Sequence, residues 1–284
     1  MSPAHRFNED QRARWNGTDG EYWVREQDRM DRTLAPVTGP LLAFAAPSAG
    51  SRVIDVGCGC GAVAAELARA VGPSGHVFGV DISEPMLERT KERLRKFGNA
   101  TCLLGDAGQL PLDHLRADLM VSRFGVMFFG DPEAAFANLR TALAPGGQVR
   151  FACWRPIQEN PWLQIPLHAV YEHVPRLPKP DVEEPGPFSF ADTARVARIL
   201  TTAGFSSPNF TRLDIEMDLA AGGSVEDAAA HASGTGPARR ALEGQSEEIR
   251  ERALESIRRA LAPYASANGV KLPGAIWLVA ADRL

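Results

Sequence analysis

No apolar run in the 284-residue sequence approaches the roughly 18 to 20 residues needed to span a bilayer. Met1 to Gln11 is polar and lacks the apolar stretch of a secretory signal. These two absences predict a cytoplasmic protein with no membrane partner. Excess positive charge is missing as well. Lys and Arg number 31 against 35 Asp and Glu, a formal charge of −4, so no general field gathers phosphates. That disfavours nucleic acid and favours a small-molecule partner. Cysteine is scarce: Cys58 and Cys60 share a C-x-C inside a glycine loop, while Cys102 and Cys153 stand apart. A zinc site would want a second close pair of ligands and an iron–sulfur site three clustered cysteines, so no metal is expected and the thiols are read as reduced and buried.

What is present is enough apolar residue, 44%, to bury one large domain with additions. From Ser51 to Cys153 short apolar strands alternate with helical periodicities, the pattern of a parallel sheet covered by helices. Val53 to Val56 is followed by a helix over Ala62–Val71, carrying Val63, Leu67 and Val71 and stopped by Gly72-Pro73. Val77–Val80 is a second strand, Ser83 and Pro85 open a helix that ends at Gly98, and Thr101–Leu104 is a third strand. Asp118–Ser122, a helix over Asp131–Ala144, a turn at Pro145-Gly146-Gly147 and a strand at Val149–Cys153 complete the series. This predicts a Rossmann-like α/β core at 50–154, its seven-stranded, mostly parallel sheet completed by two later strands and covered by helices on both faces.

The flanks have another texture. Residues 1–49 read as a helical cap with Trp15, Tyr22 and Trp23, ending in a Pro-rich approach to the first strand. Residues 155–189 form a Pro-rich insertion whose eight prolines, Pro156, Pro161, Pro166, Pro175, Pro178, Pro180, Pro185 and Pro187, disfavour long helices. In 190–284, Phe190–Ala203 is a helix stopped by Gly204, and Asn209–Leu219 and Ala275–Ala281 are two late strands. About 224–265 between them is mainly helical and too long for a hairpin, so it is read as a lid insertion.

The chemistry concentrates in VIDVGCGCG, Val53 to Gly61. A strand that runs through glycines into a helix brings backbone close to a ligand. Gly57, Gly59 and Ala62 satisfy the G-x-G-x-x-A form of the dinucleotide fingerprint, and Asp81, 20 residues after Gly61, could hold ribose hydroxyls of NAD or of S-adenosylmethionine. The loop alone fits both. Three neighbours favour the sulfonium cofactor: Asp55 ahead of the glycines suits an ammonium and repels a pyrophosphate, Asp106 in Gly105-Asp106-Ala107 follows the third strand, and Leu143-Ala144-Pro145-Gly146-Gly147 precedes the fifth.

As a set, these motifs resemble the class I S-adenosylmethionine-dependent methyltransferases over about Ser51–Cys153. Ser122–Gly147 and Trp15–Trp23 are also similar to a bacterial subgroup acting on small molecules. The resemblance implies that Asp55, Gly57, Gly59 and Gly61, with the backbone of Cys58 and Cys60, line the methionine end. Asp81 takes the ribose, Ile82 and Met86 pack on the adenine, Asp106 and Ala107 read its edge, and Ser122 and Arg123 border the sulfonium. A structural role competes for each, most evenly for Met86, Ser122, Trp15 and Trp23.

Methyl transfer is a displacement that mainly needs alignment and exclusion of water, so catalytic residues can be few. His168, His173 and His231 lie in the insertions where a substrate would sit, and none is assigned as a base. Trp154, Trp162, Phe188 and Phe190 hint at an apolar or aromatic substrate. Ser122-Arg123-Phe124-Gly125 lacks both the Pro-Pro-Tyr signature of amino-group methylation and the acidic residue of the metal-dependent catechol type. The expected activity is methyl transfer to an O, C, N or S nucleophile, and a homodimer is compatible with it. Two alternatives remain open: a cofactor-binding protein without transferase activity, and an NAD-dependent oxidoreductase, although no Tyr-Lys or His-acid pair stands near the fourth strand.

Overall fold

The computed structural model describes residues 3–178, 181 and 184–284; Pro180 lies outside them. Five parallel strands, β1 (Arg52–Val56), β2 (His76–Asp81), β3 (Ala100–Leu104), β4 (Ala117–Arg123) and β5 (Leu143–Trp154), are extended by β8 (Gly269–Asp282), antiparallel to β5, and by β6 (Asn209–Asp218), antiparallel to β8. The order across the sheet is β3-β2-β1-β4-β5-β8-β6, with the two-residue β7 (Ala265–Ser266) pairing β8 off this path. Strand order reverses between β1 and β4. In open α/β sheets the crevice at the carboxyl end of such a switch point receives ligands.

The strands are apolar because both faces are covered. Val53, Ile54, Val77, Val80, Met120, Val121, Val149 and Phe151 are fully buried. Helix α4 (Ala62–Val71) lays Val63, Leu67 and Val71 on β1 and β2, and α5 (Glu84–Leu94) packs on β2 and β3. Ser83 caps α5 by accepting from the Met86 amide, and Asp131 caps α6 (Pro132–Ala142) by accepting from the Ala134 amide. Pro85 and Pro132 stand in the first turns of these helices, where no backbone N–H is needed.

Three segments depart from the sequence expectation. The Pro-rich approach to β1 is helical: α3 (Gln27–Ala45) runs through Pro36 and Pro40, because Met30, Leu34, Val37, Leu41 and Ala45 bury one continuous stripe against the sheet. That burial offsets the lost backbone bonds. The Pro-rich insertion holds α7 (Pro161–Val170), with Pro161 in the first turn, where no N–H is needed, and Pro166 buried inside. In β5 the Pro-Gly-Gly segment lies within the strand as a break in register, since Ala117 pairs Leu143 while Leu119 pairs Gln148.

Before α3 come α1 (Pro3–Asn16) and α2 (Thr18–Arg25); after α7 comes α8 (Thr193–Thr202). Between β6 and β8 stand α9 (Val225–Ser233), α10 (Gly236–Leu242) and α11 (Glu247–Leu261), with α9, α10 and α11 all packed on α7. The two insertions thus form one helical layer over the carboxyl ends of the strands. No helix of the described residues is long and apolar enough to cross a membrane.

Candidate functional site

A cavity of about 1060 Å³ opens at the β1/β4 switch point, walled by the strand ends, by α1–α3 and by the helical layer. Its floor is the loop after β1. Gly57, Gly59 and Gly61 have φ of +68°, +57° and +81°, the left-handed region where a side chain is strained. A Cβ on Gly57 would stand 2.7 Å from the Cα of Gly125, and one on Gly61 would stand 2.9 Å from the Thr90 methyl. Glycine here lets the β1 and β4 loops touch and α5 close over the turn.

The loop amides are mostly spent inside the protein. Gly57 and Cys58 donate to the Val80 carbonyl (2.9 and 3.1 Å), Gly59 to Asp81 Oδ2 (2.7 Å) and Gly61 to the Cys58 carbonyl (2.9 Å). A pyrophosphate would therefore meet few free donors here, and it would meet acid instead. Asp55, one residue behind the lining Val56, is buried with neither carboxylate oxygen in a hydrogen bond. Burial pushes its pKa up to about 7 and the Asp81 charge adds to this, while nearby Arg123 and, more weakly, the Ala64 amide oppose it. An orphaned acid of this kind fits a cation, such as the ammonium of a methionine moiety, not a phosphate.

Asp81 ends β2 on the cavity wall. Its Oδ1 accepts from the Ser83 amide at 2.9 Å and its Oδ2 from Gly59, so the carboxylate is fixed with a lone pair on each oxygen to spare. Burial raises its pKa and these amide bonds pull it back. Asp106, after β3, accepts from its own Gly108 amide (Oδ1, 2.8 Å) and from Asn8 Nδ2 of α1 (Oδ2, 2.8 Å). Arg123 reaches the cavity from the end of β4, donates to Thr38 Oγ1 at 2.7 Å and has Asp31 and Asp55 as its nearest opposite charges.

Of the residues expected at the site, Gly57, Cys58, Gly59, Asp81, Ile82, Met86, Asp106, Ala107 and Arg123 line this single cavity. Asp55, Gly61 and Ser122 do not. Asp55 stands behind the wall; Gly61 is the residue before α4, turned to Thr90. Ser122 is fully buried, donating to the Val56 carbonyl (2.7 Å) and accepting from the Gly125 amide (3.1 Å), so it ties the β1 and β4 ends together instead of bordering a ligand. The four cysteines are free, and burial raises the Cys60 thiol to about 12, which leaves it inert.

The far half of the cavity is apolar. Phe124 and Trp154 stack at 4.0 Å with an 11° interplanar angle, and Trp162 packs 5.1 Å from Trp154. Phe124 holds a φ of +69°, unusual for an aromatic residue, a strain of roughly 1–2 kcal/mol that aims its ring at Trp154. Phe188 lines the same space, but Phe190 is a core residue against Phe136 and Phe151. Trp15 and Trp23 both reach the wall and pack edge-on at 6.3 Å. Of the three histidines, His168 is exposed on α7, His173 bonds Ser256 Oγ at 2.8 Å, and His231 of α9 lines the cavity. Sequence reasoning missed Asn8, Gln11 and Phe128, which also line the cavity, since no local pattern marks a polar or aromatic residue as facing a distant strand end.

The reversed strand order, with a glycine-floored crevice at its switch point, gives the fold of the class I S-adenosylmethionine-dependent methyltransferases. Residues 53–147 match the family model described as a methyltransferase domain. The demethylmenaquinone methyltransferase of Staphylococcus aureus (strain JH9) is 38% identical over 100 residues, which are 35% of this chain and 42% of that protein. The chain thus matches less than half the length of this curated relative. Two solved structures share the fold. A putative methyltransferase from Bacillus halodurans C-125 has a TM-score of 0.56 at 17% identity, covering 87% of this chain and 98% of that one. The geranyl diphosphate C-methyltransferase of Streptomyces coelicolor A3(2), solved with Mg2+, geranyl diphosphate and S-adenosyl-L-homocysteine, has a TM-score of 0.55 at 18% identity over 100% of both chains.

Proposed function

We propose that the protein transfers the methyl group of S-adenosylmethionine to an O, C, N or S nucleophile of a small apolar or aromatic molecule. The observation that carries this reading is the unpartnered Asp55 carboxylate beneath a glycine loop whose amides are largely satisfied internally, a floor that suits an ammonium and rejects a pyrophosphate. Arg123 holds the carboxylate of the amino-acid end while the buried Asp55 charge behind the floor attracts its ammonium, Asp81 takes the ribose hydroxyls, Ile82 and Met86 cover the adenine, and Asp106 with Ala107 meets its edge. When bound, the cofactor supplies an electrophilic methyl on a sulfonium.

The chain's own work is then alignment and dryness. The helical layer over the strand ends excludes water, and the aromatic wall of Phe124, Trp154 and Trp162 orients a flat acceptor toward the Arg123 end of the site. The demethylmenaquinone methyltransferase and the geranyl diphosphate C-methyltransferase are named for small molecules with large apolar parts, which is compatible with this wall. The experiment is a thermal-shift assay paired with label transfer. S-adenosylmethionine and its demethylated product each raise Tm and NAD leaves it unchanged, and methyl label passes from the cofactor into an extractable aromatic acceptor. No shift with saturating cofactor removes the assignment.

A further inference from the structure

Helix α9 buries Ala228, Ala229, His231 and Ala232, so one imidazole stands in a row of methyl groups. His231 is 2% exposed, and its Nδ1 has no hydrogen-bond partner. Its carbonyl accepts from Thr235 Oγ1 at 2.9 Å, which fixes the turn into α10 but leaves the ring unsatisfied. A buried, unpaired ring nitrogen is costly, and packing gives no reason for it where alanine serves at the neighbouring positions.

Its surroundings are specific. His231 lines the cavity together with Gly234, Thr235 and Gly236. A Cβ on Gly236 would stand 2.9 Å from the Leu163 side chain, so this corner abuts the α7 face that carries Trp162, Leu163 and Leu167, all on the same wall. Burial, with the Arg29 charge beside it, lowers the pKa of His231 to about 4, so the ring is neutral at ordinary pH. A neutral imidazole offers one donor and one acceptor position, and a hydroxyl complements Nδ1 in either tautomer because it can both give and accept a hydrogen bond.

We propose that His231 Nδ1 hydrogen-bonds a hydroxyl of the acceptor molecule, so that the substrate class is a ring-bearing apolar compound carrying at least one hydroxyl. This inference rests on the reading of the cavity as a methyltransferase site. His231 selects and orients the acceptor. The aromatic wall takes the ring face, and the imidazole sets the rotation of the ring within its plane. An analogue without the hydroxyl leaves Nδ1 buried and unpaired in the complex, which is how such a site discriminates.

The test uses 2-naphthol and naphthalene as probes, titrated by tryptophan fluorescence quenching into the full chain with and without the demethylated cofactor. The wild type is expected to bind 2-naphthol at least about tenfold more tightly than naphthalene, since one satisfied buried hydrogen bond is worth that ratio. His231→Phe is expected to bind both equally, and His231→Gln to recover part of the preference. With ring-15N histidine, one imidazole signal of the wild type shifts on adding 2-naphthol and stays in place with naphthalene, a readout that needs no variant. Equal affinity for the two probes in the wild type, or a preference that survives His231→Phe, overturns the proposal. Failure of the demethylated cofactor to bind overturns the methyltransferase reading instead, and is scored separately by its own titration.

Discussion

Asn8 Nδ2 of the first helix donates to Asp106 Oδ2 at 2.8 Å, spanning 98 residues of sequence to join the cap to the loop after β3. The same side chain accepts from the Gly130 amide at 3.0 Å, so one residue clamps two loops at the adenine end of the proposed site. A hydrogen bond to a charged acceptor is worth about 1.5–3 kcal/mol. Asn8→Ala is therefore expected to speed cofactor exchange by about tenfold or more, with association and dissociation both faster. Stopped-flow fluorescence, with Trp15 on the same wall as reporter, measures this; unchanged rates would mean the cap does not gate the adenine end.

Asp55 makes stability depend on pH. Its folded pKa, about 7, is above the ordinary 3.8, so the folded chain binds the extra proton across that window and stability falls as pH rises through it. Asp55→Asn removes the buried charge and is expected to raise the Tm of the cofactor-free protein above pH 7 by several degrees, on the order of a few kcal/mol. The gain should shrink toward pH 4. His231 works in the opposite sense. Its pKa is lowered to about 4 from 6.5, so its contribution is complete above 6.5 and is lost as pH falls toward 4. Melting curves of each variant from pH 4 to 8 separate the two; an Asp55→Asn gain independent of pH would show that the carboxyl is not held near 7.

Asp81→Asn keeps an acceptor oxygen for only one of the Gly59 and Ser83 amides, turns its NH2 toward the other, and loses the charge offered to ribose hydroxyls. Affinity for the demethylated cofactor is expected to fall about tenfold, the difference between charged and neutral hydrogen bonds. Calorimetry at constant Tm checks it, and an unchanged Kd would place the ribose elsewhere.

Two glycines with positive φ give a paired comparison. Gly146 (φ +79°) has open space around its missing Cβ, whereas Gly57 (φ +68°) would drive a Cβ to 2.7 Å from Gly125. Gly146→Ala is expected to cost only the left-handed strain of about 1 kcal/mol, and Gly57→Ala that strain plus a backbone collision at the cavity floor. Differential scanning calorimetry should rank Gly57→Ala well below Gly146→Ala, and equal losses would contradict the close approach of the β1 and β4 loops.

The core between Ser51 and Cys153 was legible because its signals are local. Val63, Leu67 and Val71 recur at helical spacing, Gly72 stops α4, and Asp55, Asp81 and Asp106 stand at strand ends that any parallel sheet brings to one edge, whereas α5 ends at Leu94, four residues short of the expected stop at Gly98. What tertiary burial decides was not. Pro36 and Pro40 fall in what reads as a Pro-rich approach to the first strand, and the buried stripe of α3 carries the helix through them. The family resemblance put Ser122 beside the sulfonium and Phe190 hinted at an aromatic acceptor, yet the pleat of β4 turns Ser122, and the turn before α8 turns Phe190, into the protein. Asn8 and His231 gained meaning only when helices distant in sequence closed over the strand ends.

The central claim is that the acid-floored crevice at β1 and β4 holds the methyl-donor cofactor. Isothermal titration of the wild-type chain with S-adenosyl-L-homocysteine, and separately with NAD, tests it most directly. The account predicts one site per chain for S-adenosyl-L-homocysteine and no heat from NAD. Saturable NAD binding, or no binding of S-adenosyl-L-homocysteine, would contradict it.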